Sequence, residues 1–360
     1  MENAAWPHVR GDLASTRREA AAFIDNLEDL YGTIGRQHWI SRWTNIGDAH
    51  CLVGDLNCKN GASAKATEAW LCALTAFEVA RRLVDKDDPD GKEVSAKVEA
   101  GIQEVGSSLE HQFERVLISC SDETELLAYY LPAVGPNRCA PAVICISREE
   151  ETGATLLGRL LPVVIGRGMS VLVVTHDDLP NHWPGQSDLL LSCCLDYLSL
   201  RPEVDAARIG IYGEGMSAAL ATDFALFDGR IAAAVCDGGA WNSARVMASV
   251  GWMAGSTELV DEGAISARRS RLLRQLNCPV LVVAGGYGIV SLSEAIKLQT
   301  DCPPARTDLE LTIPRMTQTP VGEIENFVSS DDSIFGWLER KLHTHSICRT
   351  GPRGKPRRHR

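Results

Sequence analysis

A strand that ends in glycines and runs straight into a helix of small residues is a frame for nucleophilic chemistry. Residues 208–221, RIGIYGEGMSAALA, have that form. In a G-x-S-x-G turn the middle residue is lifted above the sheet. The glycines let strand and helix close around it, and the next N–H, at a helix N-terminus, donates to an oxyanion. Here the turn reads Gly213-Glu214-Gly215-Met216-Ser217, so the apex is Gly215 and a serine stands two places later. Ser217 is then either a displaced nucleophile or a small residue packed against the sheet. Glu214 is either a general base beside a helix N-terminus or a charge compensating that terminus.

Other candidates fall at strand ends. His176 follows MSVLVVT and precedes Asp177 and Asp178, where an acid–base pair can act at the edge on which open α/β sheets bind ligands. A plain loop histidine is the other reading. Asp237 ends IAAAVCD and is either an acid at that edge or a turn residue. Arg148 follows the strand PAVICIS and either holds a carboxylate or enolate oxygen in two hydrogen bonds or pairs with Glu149, Glu150 and Glu151 at the surface. Met216 and Trp241, at the turn and beyond the Asp237 strand, are expected against substrate. Trp39, Trp43, Trp70 and Trp183 line a ligand cleft or pack in the core. The other histidines, at 8, 38, 50, 111, 182, 343, 345 and 359, show no metal-ligand spacing. There is no GxGxxG and no P-loop, so neither a nucleotide site nor any cofactor is expected.

These residues need a sheet to hold them, and the chain is long and apolar enough to build one. It has 360 residues, 45% hydrophobic and 23% charged, with 47 acidic against 36 basic side chains. That composition excludes a disordered or collagen-like chain, and the acidic balance argues against nucleic-acid binding. No apolar run reaches roughly 18 residues, and the N-terminus lacks the charged-then-apolar order of a signal peptide, so a cytoplasmic protein without membrane contact is expected. Twelve cysteines are scattered without a CxxC pair and are expected to be reduced, with Cys193 and Cys194 as core.

Residues 1–115 read as helical, with apolar positions at helical spacing over 14–32, 62–85 and 93–116, a loop at KDDPDGK (86–92), and a long connection over 44–63 marked by glycines and polar residues. From 116 to 342 the texture becomes an alternation of strands and helices. VLISC and LLAYYLPA pair, and five apolar strands follow between helices, with DLELTIP (308–314) the last strand and 333–342 a closing helix. Such alternation gives a mostly parallel sheet flanked by helices. Residues 343–360 carry six Lys or Arg and no acid, and read as a disordered basic tail.

The segment ASAKATEAWLCALTAFEVARRL and the series PAVICIS, GMSVLVVTHDD, ARIGIYGEGMS, AAAVCDGG and CPVLVVAGG, in that order, resemble α/β-hydrolases of the FrsA-like and 2,6-dihydroxypseudooxynicotine hydrolase type. The resemblance covers residues 20–342 and implies an α/β-hydrolase fold with a helical N-terminal domain over the sheet's C-terminal edge. It also implies a cleft for a small aromatic or polyketide-like molecule, and a homodimer. It places the nucleophile at Gly215, the acid at Gly288 in the turn Gly285-Gly286-Tyr287-Gly288, and the histidine at Gln318 or a neighbouring threonine in residues 313–327. The oxyanion turn reads Ser147-Arg148. No histidine lies between 183 and 342.

Three functions follow. The first is a non-hydrolytic enzyme, a cyclase, isomerase or lyase, using acid–base residues such as His176 and Asp237. The second is a catalytically inactive pseudo-hydrolase that binds a ligand or stabilises a partner. The third is an ester or C–C hydrolase with relocated residues.

Overall fold

The computed structural model describes residues 11–28, 35–84, 90–108, 113–120, 125–134, 139–179, 185–239, 271, 274–284, 291–302, 308–319 and 322–348. Trp183, Trp241 and Gly288 lie outside them. Among the described residues four helices come first: α1 Leu13–Asp25, α2 Arg36–Lys59, α3 Ser63–Leu83 and α4 Asp90–Ser108. An eight-stranded sheet follows, in the order β1-β2-β4-β3-β5-β6-β7-β8. Its strands are β1 Glu114–Ser119, β2 Glu125–Leu131, β3 Ala140–Ile146, β4 Ser170–Val174, β5 Val204–Glu214, β6 Ile231–Asp237, β7 Val280–Val283 and β8 Leu309–Thr312. The first two are antiparallel to each other and β2 to β4, while β3 to β8 are parallel. Every residue of β3, β4, β6 and β7 is buried. This is why they read as unbroken apolar runs: parallel strands are covered on both faces.

Between the strands lie α5 Gly153–Val164, α6 Gln186–Ser199, α7 Ser217–Phe227 and α8 Leu292–Asp301. The described residues end in a hairpin, β9 Met316–Thr319 with β10 Gly322–Glu325, and a long helix, α9 Phe327–Cys348. One apolar cluster joins α1 to α4 with α5, α9 and one face of the sheet; α6 and α7 cover the other face. The N-terminal helices therefore share the sheet's core, and they meet its C-terminal edge through the polar end of α3, where Arg81 reaches Glu151 beyond β3 at 3.0 Å.

Four expectations change. Residues 44–63 are not a connection, because α2 runs through Gly47 and Gly54 to Lys59. A Cβ at Gly47 would stand 2.2 Å from the Phe77 ring, and one at Gly54 2.4 Å from the Trp70 indole. Those glycines mark close approach of α2 to α3, not a loop. The 93–116 pattern divides into α4 and the start of β1, the strand being fixed by its antiparallel partner. A further hairpin follows β8, which is the last strand of the large sheet but not of the chain. Finally, α9 continues past 342, so residues 343–348 are helical and not part of a tail. Trp39, Trp43 and Trp70 are 1%, 1% and 2% exposed and belong to the core. Among the described residues the cysteines from Cys51 to Cys302 form no disulfide, and no helix is long and apolar enough to cross a membrane.

Candidate functional site

The turn from β5 into α7 has the shape its glycines call for. At Gly213 a Cβ would lie 2.1 Å from the Ser217 carbonyl oxygen, so only glycine lets the helix start so close to the strand. Gly215 has φ +62°, a left-handed conformation that glycine adopts without steric cost. The apex thus keeps its left-handed geometry while carrying no side chain.

The space above the apex is filled by Glu149, one of three consecutive glutamates that look alike in the sequence. Its Oε2 accepts the Met216 N–H at 3.1 Å, and a Cβ on Gly215 would come within 2.8 Å of the same oxygen. The carboxylate therefore occupies the place of a nucleophile's side chain and uses the N–H that would hold an oxyanion. Glu150, at φ 61°, is the one described non-glycine residue with positive φ, and the chain turns there between Glu149 and Glu151. Arg148 approaches Glu151 at 3.9 Å, and Glu151 is only 4% exposed, so this pairing is internal and not on the surface.

Ser217, the first residue of α7, is fully buried. Its hydroxyl donates to the Ser147 carbonyl at 2.6 Å and lies 2.7 Å from His176 Nδ1. A carbonyl only accepts, so the one hydroxyl hydrogen is committed there, and the contact with His176 is made by a hydrogen on Nδ1. His176 opens a 3-10 turn, His176–Asp178, after β4, and its backbone N–H donates to Ser147 Oγ at 3.1 Å. Both its ring and its backbone are held, while Nε2 has no partner among the described residues. Burial lowers the His176 pKa, with Glu149 and Asp177 partly offsetting it. The ring is a neutral imidazole whose free lone pair is on Nε2.

On the other side of β5 the groups are acids. Glu214 is 3% exposed and forms an ion pair with Arg159, the buried arginine of α5. Arg159 Nη1 also approaches Asp331 of α9 at 3.8 Å. The Tyr212 hydroxyl lies 3.2 Å from Glu214 Oε2 and 3.2 Å from Asp237 Oδ2, and accepts from Arg159 Nη2 at 3.1 Å. Burial pushes Glu214 up, yet the charges of Arg159, Arg82 and Arg148 outweigh it and hold the carboxyl well below its usual range. Burial pushes Asp237 well above the carboxylate range, helped by Glu325 and Glu214. Burial also raises Asp331, to about 7, with Arg159 and Arg17 opposing. Gln318, by contrast, is exposed on β9 and bonds Glu323 across the hairpin, away from the elbow. No group of three or more His, Cys, Asp or Glu among the described residues can hold a metal ion. The residues missed by sequence reasoning are Glu149, Arg159, Tyr212 and Asp331. A lone arginine in the apolar helix TLLGRLLPVV was the one readable signal of a buried partner.

A solved structure matches this chain over nearly its whole length. The 2,6-dihydroxy-pseudo-oxynicotine hydrolase superposes with a TM-score of 0.57 at 16% identity, covering 90% of this chain and 96% of its own.

The chain has the α/β-hydrolase fold.

Two further solved structures match part of the chain: an esterase of Pyrococcus furiosus, 16% identical, covers 65% of this chain and 92% of its own with a TM-score of 0.46. A protein of Klebsiella pneumoniae described as a putative dienelactone hydrolase, 14% identical, covers 63% of this chain and 97% of its own with a TM-score of 0.44. No protein-family model matches the sequence, and no curated protein is similar to it.

In this α/β-hydrolase-fold protein the acids set opposing pH effects. Asp331, with a folded pKa of about 7 against an unfolded value of 3.8, binds more protons folded than unfolded between those values. Asp223, raised by burial to about 6, acts the same way. Glu78 is held down at about 2, because Arg81 and Arg82 outweigh the burial that raises it, and Glu214 is likewise depressed. Their contribution is present above about 4.5 and lost below it. His50 and His176, lowered by burial, oppose the two aspartates below about 6.5, so stability is expected to change little or rise as pH falls from 7 toward 5, then to drop below about 4.5. Urea midpoints across pH 3–8 check this; a midpoint that climbs steadily from pH 5 to 8 contradicts it.

Proposed function

We propose that this protein is a non-hydrolytic α/β-hydrolase-fold enzyme that moves protons on a small carbonyl metabolite, as an isomerase, cyclase or lyase does. The observation that carries this reading is the commitment of the Ser217 hydrogen to the Ser147 carbonyl. It makes His176 a base whose Nδ1–H is fixed and whose Nε2 is free, the arrangement a general base needs. A neutral ring is the competent state, and burial favours it. Gly215 offers no nucleophile, and Ser217 has neither a free hydrogen to give His176 nor exposure to substrate. Acyl transfer through a serine has no starting point. The aromatic or polyketide-like character of the substrate rests on the likeness to FrsA-like and pseudooxynicotine hydrolases.

A second reading, a ligand-binding pseudo-hydrolase without turnover, is favoured by Glu149, which closes the elbow from within. The two are separated by incubating the protein in D2O with a panel of enolisable aromatic ketones and diketones. Turnover or deuterium uptake at carbon, lost in His176→Gln, supports the enzyme. Ligands that raise the melting temperature and emerge without deuterium support the binder. Labelling by a fluorophosphonate that disappears in Ser217→Ala would overturn both.

A further inference from the structure

We propose that Asp237 is the proton donor of this site and that Tyr212 is its positioning residue. The single phenolic hydrogen of Tyr212 moves from Glu214 to Asp237 when Asp237 gives its proton to substrate. The catalytic meaning rests on the acid–base reading above; the proton count does not.

That count comes from geometry. Tyr212 Oη is 3.2 Å from a carboxyl oxygen of Glu214 and 3.2 Å from one of Asp237, and it already accepts from Arg159 at 3.1 Å. It has one hydrogen to give. With both carboxyls ionised, one of them would face an oxygen lone pair, buried and without a donor. One carboxyl therefore carries a proton. Glu214 is bonded directly to both terminal nitrogens of Arg159, which holds it as the anion. The proton belongs to Asp237, which donates it to Tyr212 while Tyr212 donates to Glu214.

The surroundings agree. Arg159 of α5 is the cation at the centre of this group, and it is shared by Glu214 of β5 and Asp331 of α9. Glu325, at the end of β10, adds a further negative charge that acts on Asp237. Arg82, Arg148 and Arg17 help hold Glu214 and Asp331 as anions, whereas Asp237 is raised by burial and by Glu325, Glu214 and Asp331 with Arg159 opposing, which favours the neutral form at Asp237. Asp237 is the last residue of β6, at the edge where ligands bind in this fold. Its register partner on β7, Val283, forms a wall of a cavity of about 220 Å³ that Thr312, Ile313, Pro314 and Ile334 also line. That volume takes one small organic group. Asp237 and His176 flank the elbow: the Asp237 carbonyl accepts the Gly215 N–H at 2.7 Å, and the His176 ring meets Ser217.

The substrate class is a small carbonyl compound with an acidic C–H. His176 Nε2 takes the carbon-bound proton, and the electron pair moves toward the carbonyl oxygen. Asp237 gives that oxygen its proton and becomes a carboxylate. Tyr212 then turns its hydrogen to Asp237, and Glu214 remains held by Arg159. In the reverse movement the enol returns its proton to Asp237 and the imidazolium protonates carbon at the new position, so an isomerisation leaves no net proton.

Infrared spectroscopy of the full-length protein with 13C-labelled aspartate reads the donor directly, with no turnover required. At neutral pH the wild type is expected to show a protonated-carboxyl C=O band that Asp237→Asn removes and that Tyr212→Phe shifts, because its hydrogen-bond acceptor is gone. Asp237→Asn is neutral and of the same shape and needs no proton to enter the fold, so its melting temperature at pH 7 is expected to equal or exceed that of the wild type. A spectrum in which Asp237→Asn removes no such band, or a band indifferent to Tyr212→Phe, overturns the proposal. If the band behaves as expected but no substrate shows deuterium uptake, the base assignment to His176 fails and the protonated Asp237 stands.

Discussion

Replacing Arg159 by Met is expected to lower folding stability by about 3–5 kcal/mol, the cost of leaving a buried charge without its partner. Arg159 is 4% exposed and bonds Glu214 with both terminal nitrogens and Tyr212 with one of them. Without it Glu214 has the choice of staying charged in an apolar surround or taking up a proton, and either is unfavourable at neutral pH. The loss should be read as a shift in the urea midpoint at pH 7. It should shrink as pH falls toward 5, where Glu214 freed of its cation can protonate. The double variant Arg159→Met with Glu214→Gln is expected to recover most of the stability, because it removes both charges. A single variant that costs less than about 1 kcal/mol, or a double variant no better than the single, would mean that the pair is not the desolvated unit described.

The second large effect is on turnover. His176→Gln is expected to slow proton transfer by about 10²–10⁴-fold, the usual worth of a positioned base. Ser217→Ala should cost much less, on the order of 10–100-fold, since it removes the group that orients the ring and not the ring itself. The difference between the two variants is the informative quantity. In a hydrolase using Ser217 as nucleophile, losing the serine would cost as much as losing the histidine, because such groups act as one unit. Equal losses in kcat would therefore sink the base assignment. A pH profile adds a sign: kcat/KM should rise with pH through the pKa of His176, which burial sets below its ordinary value.

The sheet was legible because parallel strands buried on both faces write themselves as short runs of Val, Ile, Leu and Ala, and PAVICIS or IAAAVCD cannot easily be anything else. The helix α2 was not, because Gly47 and Gly54 carry the signal of a loop when the reader cannot see Phe77 and Trp70 lying against them. The same limit governs the site. His176, Glu214, Ser217 and Asp237 could be picked out one at a time from their positions at strand ends. That Ser217 and His176 touch, 41 residues apart, depends on β3 and β4 lying where they do. Arg159 and Glu214 are 55 residues apart, and nothing in either neighbourhood points to the other beyond an arginine among leucines. Glu149 was the least readable. Three consecutive glutamates after a strand suggest a solvated turn, yet the turn at Glu150 sends Glu149 to the elbow and Glu151 to Arg81.

The contact between Glu149 and the elbow also works as a ratchet on further change. Placing serine at Gly215 alone would press a Cβ to within 2.8 Å of the carboxylate and force a side chain into a left-handed backbone. Replacing Glu149 alone would strip the Met216 N–H of its acceptor and supply no nucleophile. Each first step is worse than the starting point, so gaining serine chemistry at this elbow has to cross a valley two substitutions wide.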